Sequence, residues 1–139
     1  AGVAQPWRDG FRRLGATPLM KQLQRERARR EYFEPSQATA QALGLGGELG
    51  AALAFDIHVQ NGGVKAADRR TFAARMARAG DRSPAARRVL LADLVGASAK
   101  ARWRADVTAR KRAIATGVGE VHGLRLDMSA WGMDLVDPA

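Results

Sequence analysis

The sequence contains no cysteine, which excludes disulfide bonds, thiol nucleophiles and zinc sites built on thiolates. Aromatic residues make up only 6% of the 139 residues and alanine is abundant, a composition that suits packed helices better than sheets. No apolar stretch approaches the roughly 20 residues of a membrane-spanning helix, and residues 1–7 do not resemble a signal peptide. We therefore expect one all-α domain over residues 1–139, without a membrane span or a signal peptide in this chain.

Positive charge is in excess. Lysine and arginine number 23 against 14 acidic residues, which gives a formal net charge of +9. A positive field of this size favours anionic partners, namely nucleic acid, anionic lipid or anionic cell-wall polymers.

The N-terminal segment, residues 1–16, is the least well defined. Trp7, Phe11 and Leu14 have helical spacing, but glycines interrupt the pattern, so we expect a short helix at most. Thr17-Pro18 predicts a helix start, and this helix should run to about Phe33 with Leu19, Leu23 and Tyr32 as its apolar stripe.

Pro35 is expected to force Glu34 out of helical geometry and to begin a second short helix, 36–43. The segment 48–59 is apolar almost all round, which predicts a buried central helix. Further helices are predicted at 66–79, 84–95 and 99–116, and then a loop or tiny hairpin at 117–123.

Two opposite charges fall on apolar helix faces. Asp56 follows Leu53 on the central helix, and Arg110 lies between Val107 and Ile114 on the last helix. An unpaired carboxylate in a core is costly, and guanidinium suits bidentate pairing with a carboxylate. We predict a buried or cleft-floor ion pair between Asp56 and Arg110; the alternative is a separate surface partner for each.

Candidate substrate contacts cluster at the end of the central helix. Gln60, Asn61 and Gly62 expose amide groups suited to sugar hydroxyls, although an ordinary helix stop explains the same residues. His58 and His122 are further candidates, although isolated histidines more often have structural roles. We predict no metal site and no cofactor.

Tryptophans are the other sugar-stacking candidates. Trp7, Trp103 and Trp131 could stack on sugar rings, but the helical spacing of Trp103 with Val107 and Ile114 places it in the predicted core.

Several ordered blocks carry a family resemblance. Residues 32–38 and 52–62, and later 108–114, 119–123 and 126–132, resemble the C-terminal part of the chitosanase-like branch of the lysozyme superfamily. The resemblance covers most of the chain.

The resemblance implies a two-lobed helical fold with a substrate cleft and an inverting reaction, in which a glutamate protonates the glycosidic oxygen and an aspartate activates water. Both would precede the matched segment, where Asp9 is present but no glutamate. Asp56 and Arg110 would belong to the charge network that holds the glutamate. We therefore expect a truncated or processed piece that lacks the N-terminal catalytic segment, or a chain that acts beside a second chain.

Charge separates the candidate substrates. Chitosan is a polycation that this chain would repel, whereas peptidoglycan and its attached polymers are anionic. The leading interpretation is a lysozyme-like peptidoglycan hydrolase domain acting at the bacterial cell wall or periplasm. The alternatives are a non-catalytic wall-binding module and a basic helical nucleic-acid-binding domain, which the scattered arginines disfavour.

Overall fold

The chain folds into helices and one small hairpin. The computed structural model describes residues 2–137, so Ala1 and residues 138–139 of the predicted domain lie outside the described part. The elements are α1 (Gln5–Ala16), α2 (Pro18–Ala28), a π turn (Arg29–Phe33), α3 (Glu34–Leu43), α4 (Gly47–Asn61), α5 (Ala66–Arg78), α6 (Pro84–Ala97), a 3-10 turn (Ala101–Trp103), α7 (Arg104–Thr116), β1 (Val118–Val121), β2 (Leu124–Asp127) and a 3-10 turn (Ser129–Trp131). The predicted all-α class is confirmed.

The helix ends follow local capping chemistry. The Thr17 hydroxyl accepts a hydrogen bond from the Met20 amide at 3.3 Å, and proline follows at the first helical position of α2. Ser83 does the same for α6. Gly44 and Gly62 adopt the left-handed conformation that ends α3 and α4, with φ of 61° and 70°.

The predicted helix break at Pro35 is wrong. Glu34 is helical, with φ −58° and ψ −47°. Proline lacks an amide hydrogen, and its ring clashes with the carbonyl four residues earlier, that of Glu31. The backbone widens into the π turn, where the Glu34 amide donates to the Arg29 carbonyl, so helical geometry continues from Pro18 to Leu43.

Helix α1 and the part of this long helix before Glu34 form an arm, residues 2–33, which is barely packed. None of the residues of α1 or α2, all of them described, is buried. Helix α1 has 12 residues, longer than predicted, and packs chiefly against α2. Leu19 and Leu23 remain 66% and 50% exposed, so in the apolar stripe predicted for this helix only Tyr32 is partly buried.

The remainder, residues 34–137, is the body. Its core gathers around α4, α6 and α7, with Leu53, Ile57 and Leu91 fully buried. Helix α4 is buried on one side only, because Phe55 and Val59 stay 37% and 48% exposed. The prediction of a helix buried all round is therefore wrong, and the open side of α4 forms the site described below.

The C-terminal hairpin closes the body. Strands β1 and β2 pair antiparallel, with Val118 opposite Asp127 and Val121 opposite Leu124. The hairpin is longer than the loop or tiny hairpin predicted at 117–123, because the whole of β2 lies beyond that segment. A Cβ on Gly119 would lie 2.6 Å from the Ala113 Cβ, so only glycine allows β1 to approach α7 this closely.

A buried arginine ties the C-terminal segment to the body. Arg88 is 3% exposed and donates to the Leu45 carbonyl at 2.9 Å, to the Ala115 carbonyl at 3.0 Å and to both carboxylate oxygens of Asp137. Within residues 2–137, no helix combines the length and hydropathy needed to cross a membrane.

Candidate functional site

The ion pair between Asp56 on α4 and Arg110 on α7 is present. Arg110 Nη2 lies 2.6 Å and Nε 2.9 Å from the same oxygen, Oδ1 of Asp56. Both guanidinium nitrogens contact one oxygen rather than two, because a third residue occupies the other.

That third residue is Lys111, which sequence reasoning missed. Its Nζ lies 2.5 Å from Oδ2 of Asp56 and its side chain is fully buried. Burial lowers the pKa of Lys111, the hydrogen bond and charge of Asp56 raise it, and Arg110 lowers it again, with a net lowering. The sequence does indicate the position of Lys111, because this residue is four after Val107 and four before Ala115, on the inward face of α7.

The cluster leaves one positive charge in excess, since two cations share one carboxylate. Lys111 is enclosed, whereas the Arg110 side chain is 41% exposed. The excess charge therefore faces solvent through Arg110, where an anionic group could approach it.

Arg110 and Asp56 lie on the floor of a cleft of about 400 Å³ between α4, α7 and the hairpin. Trp131 lines the cleft and is 75% exposed. The lining residues are Ala52, Phe55, Asp56, Val59, Arg110, Ile114, Val121, Leu126, Met128 and Trp131. Mostly apolar walls with a few charged groups are typical of ligand pockets.

A polar extension of about 280 Å³ adjoins the cleft and shares Arg110 with it. Gln60 and His122 line it, so these two predicted contacts are brought together beside the ion pair. Trp103 and Asp106 line the same space, and Trp103 is 51% exposed. The prediction that Trp103 is a core residue is therefore wrong.

The other predicted contacts lie elsewhere. His58 points away from the cleft lining and forms a 2.9 Å hydrogen bond through Nε2 with the Thr39 hydroxyl, which accepts from Arg69 at 3.1 Å. Burial and then the Arg69 charge lower the pKa of His58. Asn61 and Gly62 are exposed and end α4 without lining the cleft.

A side groove of about 380 Å³ adjoins the cleft and shares Ala52 and Phe55 with it. Phe33 forms an edge-to-face pair with Phe55, with ring centroids 6.4 Å apart. Glu48 also lines the side groove, next to Gln37, Ala51 and Met133. The cleft, its extension and the side groove therefore neighbour one another, and each is lined by residues of α4.

The chemistry available in the cleft is limited. Among the described residues, Asp56 is the one carboxylate in the cleft lining, and it is held by two cations. Within residues 2–137, no group of three metal-ligating side chains comes together. Asp106 lines the adjoining extension and Glu48 the side groove, so neither is in the lining of the cleft itself. The cleft can bind an extended polar or anionic ligand, and hydrolysis in it would need an acid from elsewhere.

No protein-family model matches the chain, and the searches found no significant match among curated proteins or solved structures.

Proposed function

We propose that this chain is part of a lysozyme-type glycoside hydrolase that acts on peptidoglycan. The observation that carries the proposal is the Asp56, Arg110 and Lys111 cluster on the floor of a cleft with an exposed tryptophan at one wall. Aromatic faces stack on sugar rings, and the amide of Gln60 and the ring of His122 beside Arg110 offer hydrogen bonds.

Arg110 is a positioning residue in this proposal. Inverting glycosidases need one carboxylic acid that protonates the glycosidic oxygen and one carboxylate that activates water. Asp56 is engaged by two cations, so we assign neither role to it. The exposed side of Arg110 would hold the carboxyl group of a general acid that comes from polypeptide outside residues 2–137.

Charge selects peptidoglycan over chitosan. The net charge of +9 and the excess cation at the cleft floor attract a glycan that bears carboxylates and repel a polyamine. A nucleic-acid interface on α5 and α6 has less support, because three of their six arginines are already engaged: Arg69 and Arg87 bind groups of the protein itself, and Arg88 is buried.

The first test is binding by this chain. Purified peptidoglycan sacculi should sediment the protein, and chitosan beads should retain much less of it. Arg110→Gln should weaken sedimentation more than Arg112→Gln, which also removes one charge and one aspartate partner but lies outside the cleft. Equal losses of sedimentation for the two variants would show that Arg110 is not part of the binding site.

The second test is hydrolysis. The product of the complete gene should release new reducing ends from purified peptidoglycan, and the Arg110→Gln form of that product should release them more slowly. If sedimentation occurs but no length of the gene product cleaves, the function is that of a non-catalytic wall-binding module. The absence of a free carboxylate from the described cleft lining favours this second candidate.

A further inference from the structure

Two apolar surfaces of this molecule face solvent. One is on the arm, where Trp7, Phe11 and Leu14 are 67%, 61% and 49% exposed. Their spacing of four and three residues puts them on one face of α1, the pattern by which a helix anchors itself in a groove. The other surface is the side groove along α4, whose aromatic wall consists of Phe33 and Phe55.

The two surfaces do not meet within one copy in this structure, since no residue of α1 lines the side groove. Helical geometry from Pro18 to Phe33 places the start of α2 more than about 20 Å from the groove, at 1.5 Å per residue. Helix α1 spans only about 18 Å, and it would have to fold back completely to bring Trp7 near Phe33. A second copy has no such restriction.

Their charges are complementary. The arm holds eight basic and three acidic residues. By helical spacing, Arg8 and Arg13 lie on either side of the apolar face of α1. The side groove carries Glu48 in its lining, and its carboxylate has no basic partner among the described residues. Glu34 directly follows the groove residue Phe33 and is paired with Arg29 of the same chain at 3.2 Å. Attraction between these charges would orient a basic amphipathic helix along the groove.

We propose that two copies of this chain exchange arms, so that α1 of each copy occupies the side groove of the other. Such contacts are isologous and close after two subunits. Three anchors of this size and the groove surface that they cover would bury roughly 1,400 Å² over both contacts, which is the size of a specific interface. The exchanged arm would also form one end of the cleft, because the cleft and side groove share Phe55.

The experiment is sedimentation-velocity ultracentrifugation of the whole chain over a concentration series at physiological salt. The wild type should be a dimer at micromolar concentration. Trp7→Ala with Phe11→Ala should raise the dimer dissociation constant at least about a hundredfold, the effect of losing two aromatic anchors. Trp103→Ala, an exposed tryptophan outside the arm and the side groove, should leave the constant unchanged.

A charge exchange separates specific docking from loss of folding, since only exposed residues are altered. Arg8→Glu with Arg13→Glu should weaken the dimer, as should Glu34→Arg with Glu48→Arg, and the four substitutions together should restore it. A monomer at every concentration overturns the proposal, and so does a dimer that the Trp7 and Phe11 variants do not weaken. Binding of the monomer to phosphatidylglycerol vesicles, abolished by the same two variants, also overturns it and assigns the arm to a lipid surface.

Discussion

The arm and the body are both helical, yet they are stabilised in different ways. Helices α1 and α2 have good apolar spacing and a threonine cap but bury no residue. Helix α4 has apolar residues on every side and buries Leu49, Leu53 and Ile57 beneath α6 and α7. Capping and periodicity therefore explain where helices form, whereas burial depends on whether another apolar surface lies opposite.

The largest expected difference between the body and the arm is the cost of removing an aspartate that pairs with a basic residue. Asp56→Ala would leave Lys111 buried without its carboxylate, at a cost of about 3–5 kcal/mol of unfolding free energy. Asp9→Ala in the arm removes an exposed partner of Arg12 and should cost less than about 1 kcal/mol. Urea unfolding followed by circular dichroism, with the protein monomeric, measures both. Similar losses of unfolding free energy for Asp56→Ala and Asp9→Ala would mean that Asp56 and Lys111 are no more buried than the exposed pair in the arm.

Truncation of leucines gives the next difference. Leu53→Ala in α4 should lower the unfolding free energy by about 2–5 kcal/mol, because Leu53 is fully buried. Leu23→Ala in α2 should change it by no more than about 0.5 kcal/mol, because half of that side chain is already in water. The same urea titration is used, and a cost above 2 kcal/mol for Leu23→Ala would show that the arm packs on the body in solution.

Removal of the helix caps should distinguish local from global unfolding. Ser83→Ala should destabilise the whole body by about 1 kcal/mol, because α6 packs in the core. Thr17→Ala should speed amide hydrogen exchange in α2 without moving the unfolding midpoint. Exchange followed by mass spectrometry reads both regions in one sample. A shifted midpoint for Thr17→Ala would contradict the independence of the arm.

The smallest expected effect is a pH dependence confined to the body. The pKa of folded His58 is lower than its ordinary value of 6.5, so the unfolded chain binds more protons between the two values. Stability should therefore fall as the pH drops from about 7 towards 5. His58→Gln should remove this part of the slope, and His122→Asn in the exposed hairpin turn should keep it. If the unfolding free energy of wild type and of His58→Gln had the same slope against pH, a contribution of His58 would be excluded.

The sequence predicted the fold better than the site. Thr17, Ser83, Gly44 and Gly62 mark helix ends through local chemistry that acts in the same way in any fold. The response to Pro35 was missed because a helix can widen instead of ending.

In the site, the charge pair was predictable because buried opposite charges must meet, but the enclosure of Lys111 depends on how α7 lies against α4. The exposure of Trp103 and Phe55 was not predictable for the same reason: helical spacing shows that residues share a face, and only tertiary packing decides what covers that face. The place of His58 was not predictable either, because its hydrogen-bond partner, Thr39, is 19 residues away in sequence.

The π turn also has a rotational consequence. One extra residue in a helix advances everything before it by about 100° around the axis relative to everything after it. Without the extra residue of this turn, residues 2–28 would leave the body in a direction rotated by about 100° around the helix axis. The π turn beside Pro35 thus determines the direction in which residues 2–28 extend from the body.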